Sequence, residues 1–168
     1  LLRFNNHGVE SPGMEGVMEF NGKAWLDLPR SAALRIVGGK WLRVRATIQP
    51  TSPNGVILAH GGNKEGYSLY LKEGQIVLAT CVAWKRTIIS APLGEGVRQV
   101  EFFWQQSGDM LLKVDGKPVS RGKAPGFLSA QPGDSVQIGS DLIQPVGDYS
   151  AKNAFRGTIS GVSLNYAH

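Results

Sequence analysis

Apolar and polar positions alternate with period two along much of this chain. From Trp41 to Gln49, Leu42, Val44, Ala46 and Ile48 fall on one side, and Arg43, Arg45, Thr47 and Gln49 on the other. That pattern predicts a strand with one face in the core and one in water. The same parity groups Tyr67, Leu69 and Leu71; Val100, Phe102 and Trp104; Met110, Leu112 and Val114; and Val162, Leu164 and Tyr166. Val56–His60 is a buried-looking strand, and Gln75–Val82 is apolar on both faces, which predicts a central position in a sheet. Arg86–Ala91 and Ser135–Gly139 add shorter strands, the latter with Val136 and Ile138 inward.

Turn chemistry divides these runs. Asp115-Gly116 lies between Met110–Val114 and Lys117–Arg121, a strong hairpin signal because glycine takes positive φ without steric cost. Pro118 lacks an N–H, so the returning strand is expected at a sheet edge. Asn21-Gly22 predicts a second hairpin, between Met18–Phe20 and Ala24–Leu28. Lys72-Glu73-Gly74 and Ser107-Gly108-Asp109 are further turns, and residues 122–134 and 140–153 read as loops, the second irregular and polar. The only helix signal falls in residues 29–40, one or two turns closed by Gly38-Gly39. Roughly eleven to thirteen short strands at 8–12-residue spacing, without a helical period, predict an all-β chain. A sheet with no helix to cover it must pack on another sheet, so the expected architecture is a two-sheet antiparallel jelly-roll sandwich.

Composition agrees. The 168 residues include 22 Gly and 9 Pro, a breaker density suited to many short strands. The length fits one domain over 1–168, with 1–13 as an N-terminal extension and 14–166 as the core. No apolar run approaches the roughly 18 residues of a membrane-spanning helix, so no membrane partner is expected. Residues 1–6 show no basic segment followed by an apolar block, and the start without Met suggests a processed product or a piece of a longer protein. Cys81 is alone, which excludes an intrachain disulfide framework, and inside an apolar run it reads as a small buried hydrophobe. The net charge is +5. The excess sits in residues 41–91, where Arg43, Arg45, Lys64, Lys72, Lys85 and Arg86 face only Glu65 and Glu73. Such a region attracts anionic polymers, or simply keeps the surface soluble. No known reading motif accompanies the basic residues, so nucleic acid is not the expected partner.

The order of these pieces resembles the concanavalin A-like, laminin G-type domain. The resemblance rests on Phe20-Asn21-Gly22, Trp41–Pro50, Gly55–Gly62, Gly66–Leu71, Val114-Asp115-Gly116-Lys117 and Phe155-Arg156-Gly157-Thr158-Ile159, and covers about residues 14–166. Ile138-Gly139-Ser140-Asp141, Val146-Gly147-Asp148-Tyr149 and Phe155-Arg156-Gly157 further resemble the tail at the C-terminus of bacterial arylsulfatases. The resemblance implies an accessory β-domain of a sulfatase-like enzyme or a free-standing relative, exported to the periplasm or the extracellular space. It also implies a structural calcium ion as a possibility, with Asp141 and Asp148 as candidate ligands suited to a hard cation; the alternative is that these Asp residues order their own turns.

Catalytic constellations are missing. Cys81-Val82-Ala83-Trp84-Lys85-Arg86 does not match the Cys/Ser-x-Pro-x-Arg pattern of a sulfatase nucleophile. Glu15 and Glu19 flank Gly16, and Glu101 stands alone among apolar residues, so no strand presents the paired carboxylates of a glycoside hydrolase. His60, beside Gly61-Gly62, reads as structural or surface and not as a base. Binding remains. Trp84-Lys85-Arg86 puts an aromatic beside two cations in a turn, with Tyr70, Arg43 and Arg45 expected to extend the site on a polar sheet face. The alternative is that Trp84 caps the core edge and the cations are merely solvated. The expected function is a non-catalytic carbohydrate-binding or substrate-presenting module for an acidic or sulfated polysaccharide, working beside the catalytic domain of a parent protein. The alternatives are a structural or protein-interaction domain and, less well supported, a glycoside hydrolase.

Overall fold

A computed structural model describes residues 5–7, 16–28 and 35–168. Thirteen strands are described: β1 (Asn5–His7), β2 (Met18–Asn21), β3 (Trp25–Leu28), β4 (Trp41–Pro50), β5 (Gly55–Gly61), β6 (Gly66–Lys72), β7 (Gln75–Val82), β8 (Lys85–Pro92), β9 (Arg98–Gln105), β10 (Asp109–Val114), β11 (Lys117–Lys123), β12 (Val136–Ile138) and β13 (Arg156–Ala167). They form a seven-stranded sheet in the order β1-β3-β12-β5-β6-β7-β8 and a six-stranded sheet in the order β11-β10-β9-β4-β13-β2. Every pairing between named strands is antiparallel, which is the expected all-β sandwich.

The period-two pattern becomes the core. Leu42, Val44, Ala46 and Ile48 of β4 are buried, while Arg43, Arg45 and Thr47 between them stay half-exposed on the outer face. Phe102 and Trp104 of β9 meet Tyr67 of the opposing sheet edge-on, with centroids 6.0 and 6.4 Å apart. Trp104 buries its polar handle as well, since its indole N–H donates to the Gly126 carbonyl at 3.0 Å. Asp115 (φ 51°) and Gly116 (φ 78°) make the two-residue β10–β11 turn, and Pro118 lies on β11, the edge strand.

Three expectations need correction. Asn21-Gly22 does turn, with Gly22 at φ 85°, but β2 and β3 do not pair. β2 joins β13 in one sheet and β3 joins β12 in the other, so the turn carries the chain across the end of the sandwich. Asn-Gly dictates a reversal, not a partner; Phe20 and Leu26 both reach the shared core from opposite sides. Second, β7 is next to the edge and not central. Its outer face is dry because residues 140–153 fold over it. Val56, Ala59, Tyr70, Val77, Ala79 and Cys81 form a second small core beneath Val146 and Tyr149. Third, residues 35–40 form a turn without helix; residues 29–34 of the expected helix lie outside the described residues. Among the described residues no helix is long and apolar enough to cross a membrane.

Candidate ligand-binding surface

The β7–β8 hairpin turns through Ala83 (φ 48°) and Trp84 (φ 69°), two left-handed residues with side chains. A two-residue hairpin loop of this hand usually takes Asn-Gly, because a Cβ in this conformation crowds the backbone at about 1 kcal/mol or more per residue. Lys64 and Glu65 of the β5–β6 turn hold the strained turn in place. The Ala83 N–H donates to Glu65 Oε1 at 3.0 Å, and the Trp84 N–H donates to the Lys64 carbonyl at 3.0 Å. Glu65 is buried and also accepts from the Ser129 N–H at 3.1 Å and from the Ser129 hydroxyl. One buried carboxylate therefore ties together the β5–β6 turn, the β7–β8 turn and the loop at Ser129. The outcome is a tryptophan that is 65% exposed, the only exposed Phe, Trp or Tyr among the described residues.

Lys64, Lys85 and Arg86 surround this turn, and all three are exposed. Arg86 pairs across from Cys81, beside its thiol; burial pushes that thiol up, and its sulfur lies 3.4 Å from the Val146 carbonyl. Next to the turn is an open cavity of about 420 Å³ lined by Gly62, Lys64, Gln131, Pro132, Ile143 and Gln144, among others. Ile143 is as exposed as Trp84, at 65%. The β5–β6 turn allows no side chain at Gly61: a Cβ there would sit 2.1 Å from the Glu65 carbonyl oxygen. His60 lies beneath this region as a structural residue. Its Nδ1 is 3.0 Å from the Tyr67 hydroxyl, and burial holds its pKa down at about 4.

The other residues expected at the site lie elsewhere. Tyr70 is fully buried under residues 140–153, not exposed beside Trp84. Its ring meets Tyr149 edge-on at 4.6 Å, and its hydroxyl donates to Asp148. Parity correctly puts Tyr70 on the outer face of its sheet; the covering loop then removes that face from water. Arg43 and Arg45 sit on β4, in the other sheet, and do not extend the Trp84 surface. They converge instead on Glu101, which is not alone. Arg43 Nε and Nη2 donate to Glu101 Oε2 at 2.9 and 2.6 Å, and Arg45 Nε donates to the same oxygen at 2.9 Å.

Asp141 and Asp148 serve the covering loop. Asp141 is buried and accepts from the Val146 N–H at 3.1 Å and from the Tyr149 hydroxyl at 2.5 Å, while that hydroxyl accepts from Ser68 Oγ at 2.8 Å. Burial raises the Asp141 pKa to about 6. Asp148 accepts from the Lys72 ammonium at 2.7 Å as well as from Tyr70. Gly147 lets the loop lie flat: a Cβ there would be 2.4 Å from the Tyr149 ring and 2.5 Å from the Tyr70 ring. The Gly-x-Asp and Val-x-Asp-Tyr pieces of the C-terminal motif thus fasten a strap across the seven-stranded sheet. Among the described residues no three His, Cys, Asp or Glu side chains come together as a metal site. The sequence could single out Trp84-Lys85-Arg86 because they are contiguous. Lys64, Ile143 and Gln144 reach the same rim only through tertiary structure.

Two antiparallel sheets packed face to face, with connecting turns gathered at the rim, define a jelly-roll β-sandwich. The model of the laminin G domain matches residues 48–167, and the chain belongs to that family. Solved structures share the fold at low identity. The receptor binding domain of botulinum neurotoxin C/D mosaic serotype aligns at TM-score 0.74 and 11% identity, over 97% of this chain and 42% of that one. A structure reported with the dependence of botulinum neurotoxin type C cell entry on two ganglioside molecules aligns at TM-score 0.75 and 12% identity, over 99% and 43%. The binding domain of botulinum neurotoxin DC in complex with SialylT aligns at TM-score 0.75 and 10% identity, over 97% and 42%. The chain thus spans less than half the length of these structures. No curated protein sequence matches it.

Proposed function

We propose that this domain is a non-catalytic carbohydrate-binding or substrate-presenting module whose ligand is an acidic or sulfated glycan. The observation that carries the reading is Trp84, held 65% exposed on a strained turn by a buried carboxylate. Backbone strain of this kind persists only where surrounding structure enforces it, and it is concentrated at ligand-contacting positions. The indole offers a flat apolar face to a sugar ring, Lys64, Lys85 and Arg86 offer charge to its anionic groups, and the adjoining 420 Å³ cavity has room for a neighbouring residue of the glycan. The association of structural neighbours with gangliosides and with SialylT supports a sugar ligand. The C-terminal motif from Ile138 to Gly157 supports a parent protein of the sulfatase-like or polysaccharide-processing kind, outside the cytoplasm, with this domain beside its catalytic part.

Retention on a sulfated-glycan column at low and at moderate salt tests the reading. The domain should be retained at low salt, and Trp84→Ala with Lys85→Ala should elute at a clearly lower salt concentration than the native domain. Equal retention of the double variant overturns the assignment.

A further inference from the structure

The outer face of the six-stranded sheet carries a second arrangement that the Trp84 surface does not use. Cross-strand register lays out two adjacent rungs. One runs Asn165, Arg43, Phe103, Leu111, Arg121 across β13, β4, β9, β10 and β11. The next runs Ser163, Arg45, Glu101, Lys113 across β13, β4, β9 and β10. Neighbouring strands lie about 4.8 Å apart, so these side chains form one patch.

Its charges do not balance. Glu101, only 6% exposed, is the acceptor for both guanidinium groups, and Lys113 Nζ stands 3.9 Å from its other oxygen. Arg121 adds a further cation one strand beyond Leu111, while Asp109 at the hairpin end is paired with Lys123 at 3.9 Å. One arginine would neutralise Glu101; the additional like charges repel at this spacing. Glu101 engages Arg43 and Arg45 through Nε and Nη2 and leaves both Nη1 groups without a hydrogen-bond partner among the described residues. The forks are therefore fixed in place with donors to spare. Beside them Phe103 is half-buried, with Arg43 Cζ 5.1 Å and Lys113 Nζ 5.7 Å from its ring centroid. A groove of about 270 Å³ follows, lined by Phe103, Gln105, Leu111 and Arg121 among others.

We propose that this face is a separate binding site for an anionic saccharide. A sulfate ester or carboxylate bridges Arg43 and Arg45, and the attached sugar ring lies on Phe103 toward Arg121. Guanidinium forks favour planar or tetrahedral oxyanions, and the aromatic floor selects an anion carried on a ring over a bare ion.

The site is independent of Trp84, so it is tested in the Trp84→Ala background by calorimetry and amide chemical-shift mapping. The probes are a size-defined heparin oligosaccharide, its desulfated counterpart, inorganic sulfate and poly-glutamate. The heparin oligosaccharide should still bind Trp84→Ala and shift amides of β4, β9 and β10. Adding Arg43→Gln/Arg45→Gln/Glu101→Gln, which removes the cations without leaving a buried carboxylate unpaired, should weaken that binding about tenfold or more, as expected for a lost charge-assisted hydrogen bond. Arg121→Gln, outside the ion cluster, should weaken it less, and Lys152→Gln should not weaken it. Unchanged affinity in the triple variant, folded by circular dichroism, overturns the site. So does equal binding of the desulfated probe, of sulfate alone or of poly-glutamate. Loss of all binding in Trp84→Ala assigns the ligand to the rim instead and overturns this site while leaving the rim reading intact.

Discussion

Ala83 and Trp84 hold a backbone conformation that glycine would take without a steric penalty. Ala83→Gly should therefore stabilise the domain by roughly 0.5–1 kcal/mol, read as a higher urea midpoint, because the relief of left-handed strain outweighs the added freedom of the unfolded chain. Trp84→Gly should also gain stability while weakening glycan retention, so the two properties move in opposite directions at one position. A fall in stability in both variants would show the turn to be unstrained. At this scale the sequence was partly legible. Trp84-Lys85-Arg86 announced an aromatic among cations, and the turn placed it in solvent. Tyr70 was misread because alternation reports which side of a sheet a residue faces, not what lies on that side. Glu65 was missed because its partners, Ala83 and Ser129, are 18 and 64 residues away.

Among the elements, the strands were legible and the strap was not. β4 alternates along its whole length, and Asp115-Gly116 with Pro118 located an edge hairpin correctly. Asn21-Gly22 marked a real turn whose strands part company, since pairing is decided by β12 and β13, more than a hundred residues later in the chain. Residues 140–153 have no period to read. Their apolar contribution is isolated side chains such as Val146 and Tyr149, and their order comes from Asp141, Ser68 and Lys72. The strap's closeness to the sheet makes a definite expectation. Gly147→Ala would drive a methyl group into two tyrosine rings, so thermal unfolding should shift down by several degrees, whereas Gly133→Ala, with open space around its Cβ, should leave it nearly unchanged. Equal melting of the two variants would mean that the strap does not press on the sheet.

For the whole molecule, two buried groups set opposing pH dependences. Asp141 has a folded pKa of about 6, above its ordinary 3.8, so it binds more protons folded than unfolded, and its contribution to stability falls as pH rises from about 4 to 6. His60 has a folded pKa of about 4, below its ordinary 6.5, so it binds fewer protons folded, and its contribution rises over about 4 to 6.5. Each slope amounts to about 3 kcal/mol, so the two nearly cancel and the native protein should melt at a similar temperature at pH 4.5 and pH 6. Asp141→Asn should uncover a melting temperature that climbs with pH across this window. His60→Gln should uncover one that falls. Parallel profiles for both variants and the native protein would exclude the pair as the source.

The strap has one practical consequence. It roofs over Cys81, the only cysteine in the chain, leaving the residue 1% exposed and its sulfur against a carbonyl. A thiol so enclosed is slow to ionise and hard to reach for a maleimide or an oxidant. The native domain is in effect chemically blank, so a cysteine introduced on either surface becomes the sole attachment point for a fluorophore, and ligand arrival at each can be watched separately.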